Sequence, residues 1–306
     1  MKLHENTDLF QNYIALASQE EDIDEAIIIK DYFVTLALKK LYSVNENLIF
    51  IGGTSLSKCY QIINRFSEDI DLVATANSRK AKQRQTHEAI QGIKEIWSGK
   101  IEEENKPLSD FKEMYLHYPF AQETELDQRV KIELITFMEP FPIIEKEIIP
   151  IVHKYLDKSE IVEYEVQPII VKTQEPYRTM MEKILLEKEL YKEFLLKLQS
   201  DESQAKRARD FYDIHKIWQY YKKKLPIDHI EIFKIIESRI SNRRSRTTIS
   251  AKELNKYSLL EMFDKRDLEK QLTSIDQRKL SIRDLNIDEI KTSLKEIDQY
   301  FFEFQY

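Results

Sequence analysis

One cysteine, Cys59, stands in a chain of 306 residues, which excludes an internal disulfide and any cysteine-based zinc cluster. No run of about 18 apolar residues is present, so no segment reads as a membrane span. The N-terminus, Met1-Lys2-Leu3-His4-Glu5-Asn6, has no apolar stretch behind a basic start and does not read as a signal peptide. Cytoplasm is the expected compartment. Internal repeats, low-complexity tracts and long flexible linkers are also missing.

Excess positive charge is lacking as well. The formal charge of −7 argues against wholesale coating of nucleic acid, which needs many basic contacts to phosphate. Basic residues do cluster locally. Arg239, Arg243, Arg244, Arg246 and Lys252 follow one another without an intervening acid, and Lys206, Arg207 and Arg209 form a second group. Such unevenness on an acidic chain suits a protein that holds one polyanion in one place.

Along the chain, Asp22 to Val44 reads as a helix, with acids at its start and Ile28, Tyr32, Leu36 and Tyr42 near helical spacing. Leu48-Ile49-Phe50-Ile51 reads as a buried strand. Ser55 to Phe66 reads as a helix, Asp69 to Ala74 as a strand, Arg79 to Trp97 as a helix and Arg129 to Phe137 as a strand. Glu160 to Thr173 reads as one or two strands broken by Pro168. Beyond Pro176 the helical period dominates, over Thr179–Leu198, Gln204–Tyr221, Ile227–Ile240 and Asp288–Phe304. These signals predict a mixed α/β domain over residues 1–175 and a helical domain over 176–306.

Glycine is scarce, at four residues, yet two of them adjoin as Gly52-Gly53. Glycine weakens helices and strands and in return admits positive φ and close backbone approach. A strand, two glycines and a helix from Thr54 or Ser55 would leave backbone N–H groups pointing outward, a ready phosphate site. Ser55 and Lys58 would lie in its first turn. No GxxxxGK[ST] is present, so this is not a P-loop. An ordinary strand-to-helix turn capped by Thr54 or Ser55 reads the same way.

Asp69 and Asp71 sit two apart in a strand, so both carboxylates share one side and repel unless a cation or protons intervene. Magnesium, a hard cation that keeps waters and bridges to phosphates, suits such a pair. Solvated acids on an exposed edge strand would show the same pattern. In Val130-Lys131-Ile132-Glu133-Leu134-Ile135, Glu133 is either a third carboxylate for the cluster or the solvent face of an amphipathic strand. His153, His215 and His229 have no metal-ligand spacing and read as structural or surface residues.

Gly52-Gly53-Thr54-Ser55-Leu56 followed by Arg65-Phe66-Ser67-Glu68-Asp69-Ile70-Asp71-Leu72 resembles the AbiEii/AbiGii toxin family, a branch of the polymerase-β-like nucleotidyltransferase superfamily. Lys30-Asp31-Tyr32 resembles the family's N-terminal Glu-Lys-Asp-aromatic motif, with Ile29 in place of the glutamate. Glu182-Lys183-Ile184 is similar to its lysine motif, and Arg209-Asp210-Phe211-Tyr212-Asp213-Ile214 to its Arg-Asp-x-x-Asp motif. Matches run from about residue 29 to 214. From the residues alone, Lys183 could be a polar-face residue, and Arg209 with Asp213 or Lys206 with Asp210 could be i,i+4 surface pairs.

The resemblance implies an α+β protein with a polymerase-β-like nucleotidyltransferase fold and a helical C-terminal domain that contributes Lys183 and Asp210 to the active site. It implies a metal-dependent enzyme that moves a nucleoside monophosphate from an NTP to an acceptor hydroxyl, releasing pyrophosphate. RNA, at the 3′ end of tRNA, is the implied acceptor. Asp69, Asp71, Lys183 and Asp210 would be catalytic, with Asp213 nearby. Gly52, Gly53, Thr54, Ser55 and Lys58 would bind the nucleotide, and Asp69, Asp71 and Glu133 would hold Mg2+. Lys183 would reach the phosphates, and Asp210 would act as a base or orient the lysine. An antitoxin from a neighbouring gene, acting without a stable complex as in type IV systems, is the implied partner. Two other readings stay open: the same chemistry on a protein or small-molecule acceptor, and a non-catalytic nucleotide- or RNA-binding module.

Overall fold

A computed structural model describes residues 1–67, 69–104, 110–118, 127–196, 204–242, 248–274 and 285–303. The chain divides into two compact units. Within the described residues, one comprises Met1–Gln61 and Arg65–Gln174, and the other Ile62–Asn64 and the chain from Glu175 onward.

The first unit is built on a seven-stranded mixed sheet. Its strands are β1 (Leu48–Ile51), β2 (Ile70–Ala74), β3 (Ile101–Glu104), β4 (Phe111–His117), β5 (Arg129–Ile135), β6 (Ile143–Ile148) and β7 (Ile169–Gln174), in the order β3-β4-β5-β2-β1-β7-β6. Pairs β2–β5 and β1–β7 are parallel and the rest antiparallel. All four residues of β1 are buried, which explains its uninterrupted apolar run. Helices α1 (Thr7–Glu21), α2 (Glu25–Val44) and α4 (Arg79–Ile96) cover one face. Phe10, Ile14, Phe33, Leu38, Ala89 and Ile93 share a core there with Phe50, Ile70, Leu72, Ile132 and Leu134. Each of the Phe, Ile and Leu side chains among them contributes roughly 1.5–3 kcal/mol by leaving water. Asp24 caps α2 by accepting from the Ala26 N–H (2.8 Å), and Ser78 caps α4 through Ala81 (3.2 Å).

The opposite face carries a much smaller apolar group, Ile49, Ile51, Val73 and Ile135. Strand alternation puts Asp71, Lys131 and Glu133 on that same side. The chemistry-bearing residues of β2 and β5 therefore stand on the face with the smaller apolar cluster.

Two expectations are corrected. The helix expected over Ser55–Phe66 is instead α3, Gly52–Lys58, after which Gln61 turns the chain with φ +53°. Ile62–Asn64 groups with the second unit, where the Asn64 N–H donates to the Tyr212 hydroxyl (3.2 Å); that attachment overrides the local helical pattern. The strand expected from Glu160 is helix α5 (Lys158–Glu163), opened by Asp157 and Glu160 as a capping box, before β7 begins at Ile169. Strands β3, β4 and β6 and helix α1 went unread. β3 is Ile-Glu-Glu-Glu, whose strand state comes from its ladder with β4 rather than from propensity.

The second unit is helical: α6 (Pro176–Leu195), α7 (Gln204–Tyr220), α8 (His229–Asn242), α9 (Leu259–Lys265), α10 (Leu268–Ser274) and α11 (Ile287–Phe302). Pro176 opens α6, where its missing N–H costs nothing. Met180, Met181, Ile184 and Leu185 of α6 are buried, and so are three charged neighbours, Glu187, Lys188 and Glu189. Each has a partner. Arg266 meets Glu187 at 2.7 Å, Arg239 grips Glu189 through two nitrogens at 3.0 and 2.8 Å, and Lys188 donates to the Tyr257 carbonyl. Among the described residues no helix is long and apolar enough to cross a membrane.

Burial pushes the pKa of Lys188 down to about 8, against the pull of the Asp298 carboxylate. The unfolded chain holds this proton up to the ordinary lysine value near 10.5 and so binds more protons between the two values. Lys188 therefore makes stability rise with pH across that window. Equilibrium unfolding of Lys188→Met from pH 8 to 10.5 should show a flatter rise than the parent.

Candidate active site

β1 ends at Ile51, which pairs in register with Asp71 of β2. Gly52 follows with φ +79°, and a Cβ built there would lie 2.1 Å from Asp71 Oδ2. The Asp71 carboxylate thus rests on a backbone that only glycine leaves open. A Cβ at Gly53 would meet Arg65 Nη2 and Ser67 Oγ, both at 2.7 Å, so the segment leading into β2 packs on the second glycine. Thr54 Oγ1 donates to the Asp69 carbonyl (2.5 Å) and lies 3.0 Å from Ser67 Oγ. Ser55 Oγ donates to the Gly52 carbonyl (2.9 Å). Thr54 and Ser55 are each 1% exposed, so both hydroxyls are engaged in building the bend. The N-cap residue of α3, Ile51, provides no side-chain cap.

Asp69 and Asp71 are half-buried. Asp71 pairs in register with Glu133 of β5, and Glu133 in turn with Glu113 of β4. Lys131 donates to the Glu133 carboxylate and lies 3.0 Å from Glu113 Oε2. Burial works against the lysine's charge. Its bonds to Glu133 and Glu113, with the charges of Glu133 and Asp69, nevertheless hold its pKa above the ordinary range. Among the described residues no three His, Cys, Asp or Glu side chains are gathered to hold a metal ion. Asp71 and Glu133 are thus neighbours on one face, with the Glu133 charge met by a lysine.

Lys58 is engaged within the protein. Its ammonium pairs with Asp31 of α2, its side chain is 7% exposed, and Asp31 also accepts from the Ile151 N–H (2.8 Å). The Lys30-Asp31 motif therefore works as an anchor, with Lys30 donating to the Asp127 carbonyl (2.8 Å). The motif flagged Asp31, but its sequence did not reveal the partner. In the second unit Lys183 of α6 pairs with Asp210 and, at 3.1 Å, with the fully buried Asp213, both on α7. Both acids therefore have a partner across on α6.

The basic stretch fares differently. Arg239 is buried and its guanidinium is taken by Glu189 and Glu182, so it cannot grip an RNA backbone. Arg243, Arg244 and Arg246, Glu68, and the side chains of Lys206 and Arg207 lie outside the described residues. Lys252 is exposed. His153 and His215 bond the Val166 carbonyl (2.9 Å) and Ser293 Oγ (2.8 Å), as structural histidines do.

Gly52→Ala forces an L-residue into positive φ and drives its Cβ into Asp71. It should cost about 1–2 kcal/mol in thermal unfolding while leaving the circular dichroism spectrum intact. Asp31→Ala leaves the Lys58 ammonium buried without its carboxylate, and denaturant unfolding should register a loss of about 3–5 kcal/mol.

A search of curated proteins found no match to this sequence. Among solved structures, JHP933 from Helicobacter pylori is similar at 14% identity and TM-score 0.43, over 92% of this chain and 94% of that one. MenT4, the nucleotidyltransferase toxin Rv2826c from Mycobacterium tuberculosis H37Rv, is similar at 14% identity and TM-score 0.48, over 96% and 99%. The family model described as "Nucleotidyl transferase AbiEii toxin, Type IV TA system" matches residues 37–299. With most of its length inside that match, the chain belongs to the AbiEii family of type IV nucleotidyltransferase toxins.

Proposed function

We propose that this toxin transfers a nucleoside monophosphate from an NTP to a hydroxyl of RNA, at the 3′ end of tRNA. The observation that carries the reading is the seating of Asp71 against Gly52 at the end of β1, with Asp69 two residues before it. The acceptor oxygen attacks the α-phosphorus, the bond to the bridging oxygen of the β-phosphate breaks, and pyrophosphate leaves with that electron pair. The hydroxyl proton passes to solvent.

Asp69 and Asp71 fit a magnesium ion. They are hard oxygen donors on one face, and Gly52 sets no side chain of its own against the Asp71 carboxylate. Bound there, the ion would neutralise phosphate charge and favour the ionised acceptor oxygen. The chain's own residues do the rest by positioning and charge. Backbone N–H groups at the start of α3, which Ile51 does not cap, receive phosphate oxygens. Thr54 and Ser55 hold the bend that aims those groups, through the Asp69 and Gly52 carbonyls. Lys183 supplies a fixed positive charge to the phosphates. Asp210 and Asp213 orient that ammonium, and the contact of Asp210 with Lys183 favours orientation over general-base work. The antitoxin partner is proposed to act without a stable complex, and the cytoplasm is the proposed compartment.

Incubation of the full-length protein with each labelled NTP, Mg2+ and total RNA should label a tRNA-sized band for one nucleotide, and RNase should remove it. Label that survives RNase moves the acceptor to protein or a small molecule. Asp69→Asn with Asp71→Asn should lower labelling at least about 1,000-fold. If Asp69→Ala/Asp71→Ala stays as toxic as the parent, the chain is a binding module and the transferase reading fails.

A further inference from the structure

The β2–β5–β4 register lines up Asp71, Glu133 and Glu113 in one row on the face with the smaller apolar cluster. At strand spacing of about 4.8 Å, adjacent carboxylates in such a row repel unless something positive answers them. Lys131 stands one step along the same face of β5, opposite Tyr115. The Ile70–Ile132 pair puts Asp69 at its level on the β2 side. Its ammonium takes Glu133 and Glu113 together, while the Tyr115 hydroxyl donates to the other Glu113 oxygen. The Lys131 side chain is only one-fifth exposed, so water screens these contacts weakly. Asp69 lies close enough for its charge to act on the same lysine.

A third carboxylate beside Asp69 and Asp71 would raise the affinity for a divalent ion. Here that carboxylate is already answered from within the protein. We infer that Lys131 is a positioning residue, an internal counter-cation that holds Glu133 away from the metal and thereby sets the site's divalent-ion affinity. The inference rests on the reading that Asp69 and Asp71 hold that ion. Two carboxylates then bind it weakly, and the triphosphate must supply the remaining oxygen ligands. The nucleotide-free toxin carries little metal, and ion and nucleotide bind together.

Binding of Mn2+ to the full-length, nucleotide-free protein, read by electron paramagnetic resonance of the free ion, tests this without any activity assay. Lys131→Met should tighten Mn2+ binding about tenfold in the parent background. With Glu133→Gln also present, the same change should tighten it less than about twofold, because the released ligand is gone. Lys131→Arg should restore the parent affinity. An equal gain in both backgrounds means a long-range charge effect and overturns the inference, as does no gain. Should Lys131→Met fail to fold, Glu133→Gln alone decides. A loss of Mn2+ affinity below about fivefold supports the inference, and a larger loss shows Glu133 already ligating and overturns it. Asp69→Asn/Asp71→Asn separates the two claims. If Mn2+ affinity survives that pair, the metal reading itself fails, whatever Lys131 does.

Discussion

A carboxylate resting on a side-chain-free backbone is the constraint around which the sheet unit is arranged. Asp71 can stand at the end of β2 only because Gly52, its neighbour across the β1–β2 ladder through Ile51, takes positive φ and offers no Cβ. Gly53 then admits Arg65 and Ser67, and Thr54 reaches back to the Asp69 carbonyl. A chain with only four glycines has placed two of them where a side chain would collide with the carboxylate and with the segment that carries it. The cost in backbone entropy is local, and the rigid support comes from the fully buried β1 beneath.

Much of this was legible because it is local. Gly52-Gly53 after an apolar run, and Asp69-Ile70-Asp71 alternating with core residues, announce a bend and a one-sided acid pair without knowledge of the fold. The passage from a mixed α/β half to a helical half shows as a change in period at Pro176, and Pro176 does begin a helix. What escaped depends on distant partners. No pattern in Ile101-Glu102-Glu103-Glu104 says strand; β4 makes it one. Asp31 and Lys58 lie 27 residues apart and become a pair only once α2 and α3 are assembled. The helix reading of Ser55 to Phe66 failed for the same reason, since Ile62–Asn64 obeys contacts outside its own segment.

Basic residues illustrate the point from the other side. Arg239 heads a stretch that reads in sequence as a polyanion grip, yet its guanidinium is enclosed by Glu182 and Glu189. Charge density along a chain measures what is available before folding. Burial and pairing decide what remains for a partner, and a guanidinium already holding two carboxylates has little left for phosphate.

One motif recurs in both units. Lys131 is set between Glu133 and Glu113, and Lys183 between Asp210 and Asp213. In each case an ammonium on one element is fixed by two acids on its own or an adjoining element, most of it out of water. An exposed pair of this kind would contribute almost nothing to stability, and a buried one costs desolvation that its attraction roughly offsets. Stability is therefore a weak reason for such arrangements. Orientation is a stronger one: a lysine on a flexible four-carbon stem becomes a charge of defined position only when two acceptors hold it. For the proposed reaction, whose difficulty is crowding negative oxygens around phosphorus, fixed cations and restrained carboxylates would be the protein's contribution. A sheet that lines up acids must also contain something to restrain them, and in β5 that restraint is two residues away from the acid it answers.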